Sequence, residues 1–196
     1  MACSYRVLPR AFFDASPLQV APALLGKLLI RRQQGRERRV RLVETEAYLG
    51  SGDAAAHSAV GRTARNAVLF GPPGHLYIYL IYGMHLCLNV STLPDGQAGG
   101  VLFRAAEEEG VPPLTLSGPG RLARALDVTR ASNGCDLTKR GEIFLADDGF
   151  RPEEIIVTPR VGIRKAALLP NRFLLPGHAA VTRPRGPVLE TLRDSS

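Results

Sequence analysis

The densest group of reactive side chains in the sequence is Val43-Glu44-Thr45-Glu46-Ala47-Tyr48. Side chains of an extended strand alternate, so Glu44, Glu46 and Tyr48 share one face while Val43, Thr45 and Ala47 share the other. Two carboxylates on an otherwise apolar strand are costly to bury without partners, a metal or a water-filled cleft. They are either ion-paired surface glutamates or groups held for acid–base chemistry. Asp53, His57 and Ser58 follow, then Arg62, Arg65 and Asn66. A lone histidine is more often a hydrogen-bonded structural residue than a catalyst. The two arginines either hold phosphates or are simply solvated.

A second group is Tyr77-Ile78-Tyr79-Leu80-Ile81-Tyr82-Gly83-Met84. Tyr77 and Tyr79 fall on one strand face, and Tyr77 reads as core. Tyr82 falls at a turn, where its side chain projects. An aromatic there can wedge into a base stack and fill the gap left by an extruded nucleotide. Tyr48 and Tyr79 can sandwich a flat base, because aromatic faces stack well on purines. Asn89 and Arg104 lie on the neighbouring strands and also read as ordinary polar residues at a sheet end.

The elements that must carry these groups are mostly strands. Residues 12–26 read as a short helix, with Ser16 as N-cap, Pro17 in the first turn and Gly26 as the stop; Pro22 should kink or shorten it. Strands are expected over 27–32 and 38–48, around a turn at Gly35. That hairpin carries Arg31, Arg32, Arg36, Arg38, Arg39 and Arg41, either as a solvated tip or as phosphate contacts. Residues 50–74 form a long loop rich in small residues, which is functional or contains short helices. Further strands are expected over 76–82, 85–91, 99–105, 142–146, 155–158 and 179–182, with a helix over 119–126 after a Gly-Pro-Gly turn. Hairpins outnumber strand–helix–strand units. The fold class is therefore α+β, a single domain with a curved, mainly antiparallel sheet and short surrounding helices. We place the core at about residues 12–185, followed by a flexible tail.

Composition fits this reading. The 196 residues are 45% hydrophobic and 22% charged, which suits one globular domain. The chain carries 25 Lys and Arg against 18 Asp and Glu, a net charge of +7, which favours a polyanionic partner such as nucleic acid. No apolar run approaches the roughly 20 residues of a membrane span. The first ten residues show no secretory signal. Cys3, Cys87 and Cys135 are odd in number and far apart, which argues against a disulfide framework or a Cys-rich zinc site and for a reducing, intracellular setting.

Several ordered motifs resemble the alkyladenine (3-methyladenine) DNA glycosylase family. They are Leu42–Gly50, Ala56-His57-Ser58, Leu76–Met84, Asn89-Val90-Ser91, Val101–Ala105, Gly118–Leu122 and Arg160-Val161-Gly162. The similarity runs from about Phe12 to Arg172-Phe173. The resemblance implies a monofunctional enzyme that flips a damaged purine out of duplex DNA and hydrolyses its bond to the sugar. Glu46 would be the general base that activates water, Arg104 would help hold that water, and a backbone carbonyl near Val161 would be the third anchor. Tyr48, His57 and Tyr79 would form the base pocket, and Asn89 would crowd the exocyclic amine of normal guanine. Tyr82, with Met84 beside it, would intercalate, and Arg121, Arg62 and Arg65 would contact phosphates. Glu44 has no catalytic counterpart and reads as a structural carboxylate. The resemblance implies no cofactor, no metal, a monomer, and a site of action with the DNA, in the cytoplasm or nucleoid of a bacterium or the nucleus of a eukaryote. His85 stands where an aromatic is expected, and Leu102-Phe103 borders the pocket differently, which bears on substrate range.

Two other classes compete. Glu44, Glu46, Asp53 and His57 are hard-metal ligand types, as a metal-dependent nuclease or phosphatase would need, although their spacing matches no metal motif. A non-catalytic module for RNA or single strands would use the same charge and aromatics, but would leave Glu46 and Arg104 unexplained.

Overall fold

The computed structural model describes residues 4–183 and 186–193. Cys3, residues 184–185 at the end of the expected core and the last three of the tail lie outside them.

The chain opens with a short strand β1 (Arg6–Val7), a 3-10 turn at Arg10–Phe12 and helix α1 (Pro17–Ala23). Ser16 and Gln19 form a capping box, and Pro17 occupies the first turn, where no backbone donor is missed. The helix is shorter than the sequence reading of 12–26. It ends just after Pro22, and Gly26 turns the chain away at φ +81. A side chain there would also run into the Phe150 ring.

Next come β2 (Leu28–Gln33) and β3 (Arg36–Tyr48), then β4 (Leu76–Ile81), β5 (His85–Thr92) and β6 (Gly99–Glu107). After helix α2 (Pro119–Ala125) follow β7 (Ile143–Asp147), β8 (Glu154–Thr158), β9 (Arg172–Leu174) and β10 (Glu190–Arg193). Every pairing between these strands is antiparallel. With two α-helices among the described residues, this is the α+β class read from the sequence. The strand expected over 179–182 is not formed. Three short strands not expected from the sequence are present among the described residues: β1, which pairs with β7, β9, which joins β3 to β8, and β10, which pairs with β8.

The long strand β3 organises the sheet. Its first half pairs with β2, which continues to β7 and β1. Its second half pairs instead with β9, which continues to β8 and β10. Along its other edge β6 pairs with it from Arg41 to Tyr48, followed by β5 and β4. Between the two halves the register with β6 skips Val43 on β3 and Arg104 on β6. Such irregularities re-aim side chains and commonly border functional sites.

One face of β3 carries Glu44 and Glu46. Thr45 points the opposite way and its Oγ1 donates to the Ala21 carbonyl of α1 at 2.9 Å. On that side lies the main core, with Val20, Leu24, Leu42, Val43, Leu76, Leu88, Val90 and Phe103. The arginine-rich hairpin is a lattice of ion pairs. Arg31 meets Glu142, Arg32 and Arg39 meet Glu37, Arg38 meets Glu108 and Arg41 meets Asp148. Of the alternatives read from sequence, phosphate contact is the poorer account of these five, because their charges are answered within the protein.

Candidate active site

Glu46 is fully buried, and so is Glu44 two residues before it. Each is surrounded by donors, so neither carboxylate is left uncompensated. Glu46 Oε1 accepts the Val161 N–H at 2.8 Å and lies 3.3 Å from Arg104 Nη1. Its Oε2 accepts the Tyr48 hydroxyl at 2.9 Å. Arg104 reaches both glutamates: its Nε donates to Glu44 Oε1 at 2.7 Å. Burial works against the Arg104 charge, but the charges of Glu46 and Glu44 outweigh it and push its pKa above the usual arginine value. Val161 meets Glu46 through its N–H.

Beside this cluster is a pocket of about 130 Å³. A closed apolar cavity of about 150 Å³ accepts a benzene ring, so this one has the scale of a single flat ring system. Its walls include Tyr48, His57, Tyr77, Tyr79, Asn89 and Ile163. Cross-strand register explains the convergence, since Tyr77 lies opposite Asn89 and Asn89 opposite Leu102, which in turn faces Glu46. The pocket and the Glu46 cluster thus share one face of the sheet, and Tyr48 joins them.

His57 stands at the pocket mouth on the 50–74 loop, with Nδ1 3.1 Å from the Tyr77 hydroxyl. Its ring meets Tyr79 edge-on at 4.3 Å. Desolvation, with the nearby Arg65 charge, lowers its pKa and favours the neutral imidazole. Burial raises the Tyr48 and Tyr79 hydroxyls, helped by the Glu46 charge, so both stay protonated donors. Asn89 is tied by its Nδ2 to the Tyr77 carbonyl at 3.2 Å. Tyr77, read from sequence as core, is buried but forms part of this wall.

Outside the pocket the chain turns tightly from β4 to β5. Tyr82 and Gly83 both have positive φ, +52 and +71, and the Met84 N–H closes the turn on the Ile81 carbonyl. Tyr82 is 78% exposed and Met84 71%, a large apolar surface for a loop tip. Arg65 lies nearby and donates to the Leu80 carbonyl at 3.2 Å. Arg121 is exposed at the start of α2, in a concavity it shares with His85 and Arg124. Arg62 is exposed on the 50–74 loop.

Two further groups were invisible in the sequence. Asp53 and Arg160 form an ion pair whose side chains are both fully buried, and Arg160 Nη2 donates to Asp53 Oδ1 at 2.9 Å. The Arg160 guanidinium also lies 4.6 Å over the Tyr48 ring. This pair ties the loop carrying His57 to the segment carrying Val161 and Ile163. The second group, Arg172 and Thr182, surrounds Glu44. Because Asp53 and Glu44 are spent on arginines, the acidic residues do not assemble as ligands. Among the described residues no cluster of three or more His, Cys, Asp or Glu is placed to hold a metal ion. Nor is any helix among them long and apolar enough to cross a membrane.

Comparison with known proteins agrees with the motifs. The profile of the methylpurine-DNA glycosylase family matches residues 11–179. A Koribacter versatilis protein, provisionally named 3-methyladenine DNA glycosylase, is 53% identical over 194 residues, covering 91% of this chain and 94% of that one. Proteins with the same provisional name from Anaeromyxobacter dehalogenans and Methanocella arvoryzae are 48% and 46% identical over 183 residues each. They cover 90% and 85% of this chain, and 87% and 91% of their own lengths. The chain belongs to the methylpurine-DNA glycosylase family.

Proposed function

We propose that the protein is a monofunctional DNA glycosylase that flips alkylated or deaminated purines out of duplex DNA and hydrolyses their N-glycosidic bond, starting base excision repair. The substrate class is 3-methyladenine, 7-methylguanine, hypoxanthine and ethenoadenine. The observation that carries this reading is a buried, fully donor-held Glu46 joined through Tyr48 to a ring-sized aromatic pocket beside an exposed tyrosine turn.

In this reading Tyr48 and Tyr79 stack on the flipped base, and neutral His57 hydrogen-bonds it. Tyr82 fills the gap in the duplex, with Met84 against the neighbouring step. Water attacks the sugar's anomeric carbon, its proton goes to Glu46, and the base departs with the electrons of the broken C–N bond. The Glu46 charge also stabilises the oxocarbenium-like transition state. Arg104 and the backbone at Val161 hold the water. Asn89 disfavours guanine by crowding its exocyclic amine. An N-alkylated purine is already cationic and leaves readily, whereas hypoxanthine needs protonation.

The test is single-turnover base release in a chelator, from duplexes bearing one hypoxanthine or ethenoadenine and from methylated DNA. Release without strand cleavage and without a borohydride-trapped adduct is the expected result. Tight binding with no release from any duplex would leave a binding protein only.

Arg121, Arg62 and Arg65 are the proposed phosphate contacts, so affinity should fall steeply with salt. Arg121→Ala should weaken binding to damaged and undamaged duplexes alike and reduce the slope of log K against log[salt] by about one. An unchanged slope in a fluorescence titration would remove Arg121 from the interface.

A further inference from the structure

Arg104 divides its three nitrogens among three acceptors. Nε goes to Glu44 at 2.7 Å, Nη1 lies 3.3 Å from Glu46, and Nη2 donates to Thr182 Oγ1 at 3.2 Å. A planar guanidinium contacted in three directions has no freedom left to rotate. The Thr182 hydroxyl is pinned in turn, because it donates to Glu44 Oε1 at 2.8 Å while accepting from Arg104. The Thr182 N–H donates to Glu44 Oε2 at 2.7 Å. Arg172, fully buried, closes the ring: its Nε donates to Glu44 Oε1 at 2.8 Å and its Nη2 to the Thr182 carbonyl at 2.9 Å. Thr182 lies beyond residue 179, where the family match ends.

We infer that Thr182 is a positioning residue: with Glu44 and Arg172 it fixes the plane of Arg104, so that Arg104 presents a single nitrogen to Glu46. This rests on the reading of Glu46 as the base. Of the three guanidinium nitrogens, two are directed to Glu44 and Thr182, and the third makes the longer contact with Glu46. Without the hydroxyl, Nη2 loses its acceptor and the guanidinium can turn further onto Glu46, occupying the carboxylate that must receive a proton. The 175–183 segment, distant in sequence from the strand it crosses, thus sets geometry at the reacting centre.

The experiment compares Thr182→Val, Thr182→Ser and Glu46→Gln with wild type, each measured for single-turnover excision, affinity for damaged duplex and thermal midpoint. Valine keeps the shape and the backbone N–H but deletes the hydroxyl. The expected result is an excision rate about tenfold lower for Thr182→Val, with duplex affinity unchanged, and recovery in Thr182→Ser. A wild-type rate in Thr182→Val overturns the inference. So does a rate lost in both Thr182 variants together with affinity and thermal midpoint, which would mark a merely structural residue. Glu46→Gln separates the two readings. If it still releases base, the assignment of Glu46 fails whatever Thr182→Val does; if it is inert beside a fully active Thr182→Val, only the positioning role fails.

Discussion

Glu46→Gln is expected to lower the single-turnover rate of base release by about a thousandfold, the range in which removal of a general base falls, while affinity for a damaged duplex stays close to wild type. The amide keeps the shape of the carboxylate. Its oxygen can still accept from Val161 and Arg104, and its nitrogen can donate to the Tyr48 hydroxyl that formerly donated to Glu46 Oε2. What is lost is the capacity to take a proton from water and to offset positive charge on the sugar. The pocket walls do not depend on that charge, so binding should survive. A rate within tenfold of wild type would remove Glu46 from the chemistry.

The second large effect concerns stability. Asp53→Asn should cost about 3–5 kcal/mol, because it leaves the Arg160 guanidinium charged and buried without its counter-ion. In a chain of this size that corresponds to roughly a 10 °C fall in thermal midpoint. Burial by itself would raise the Asp53 pKa. Its hydrogen bonds from Arg160 and from the Ala55 and Leu49 amides, with the Arg160 charge, outweigh burial and lower it. A carboxylate with a depressed folded-state pKa stabilises the fold fully above its unfolded value and loses that contribution as pH falls through the folded one. Wild type should therefore weaken below about pH 3.9, and the variant should lose part of that pH dependence. Replacing both partners by apolar residues, as in Asp53→Leu with Arg160→Met, should recover part of the loss. Calorimetry between pH 3 and 7 tests both points; an Asp53→Asn variant as stable as wild type at pH 7 would show the pair to be dispensable.

The faces of β3 were legible because alternation has a fixed period and the segment is long: Glu44, Glu46 and Tyr48 fall together as expected, with Thr45 turned to α1. The turn at Gly83 and the exposure of Tyr82 were equally local. Tyr77 is buried as read, but that it also lines the pocket could not be seen, because periodicity gives a side chain's face, not whether a cavity opens beside it. The Asp53–Arg160 pair joins residues 107 apart and Thr182 meets Glu44 across 138, separations on which local pattern is silent. The hairpin arginines looked available because their acceptors, Glu108, Glu142 and Asp148, arrive from distant segments. Strand β9 has three residues, too few to show a period.

The residues skipped in the pairing of β3 with β6, Val43 and Arg104, have a consequence for how this sequence can change over time. In a regular ladder a one-residue slip turns every side chain to the opposite face. Here one residue is passed over on each strand, so the two offsets cancel and Thr45–Phe103 stands in the same register as Leu42–Ala106. The half paired with β2 ends in a solvent-facing hairpin, where insertions and deletions accumulate most easily. A shift of phase in β3 would therefore carry through to Glu46, whereas residues added within the turn at Gln34-Gly35 leave the ladder as it is. The turn can vary in length, while the ion pairs of Arg38 and Arg41 and the pairing with β9 hold Glu46 in phase with the pocket.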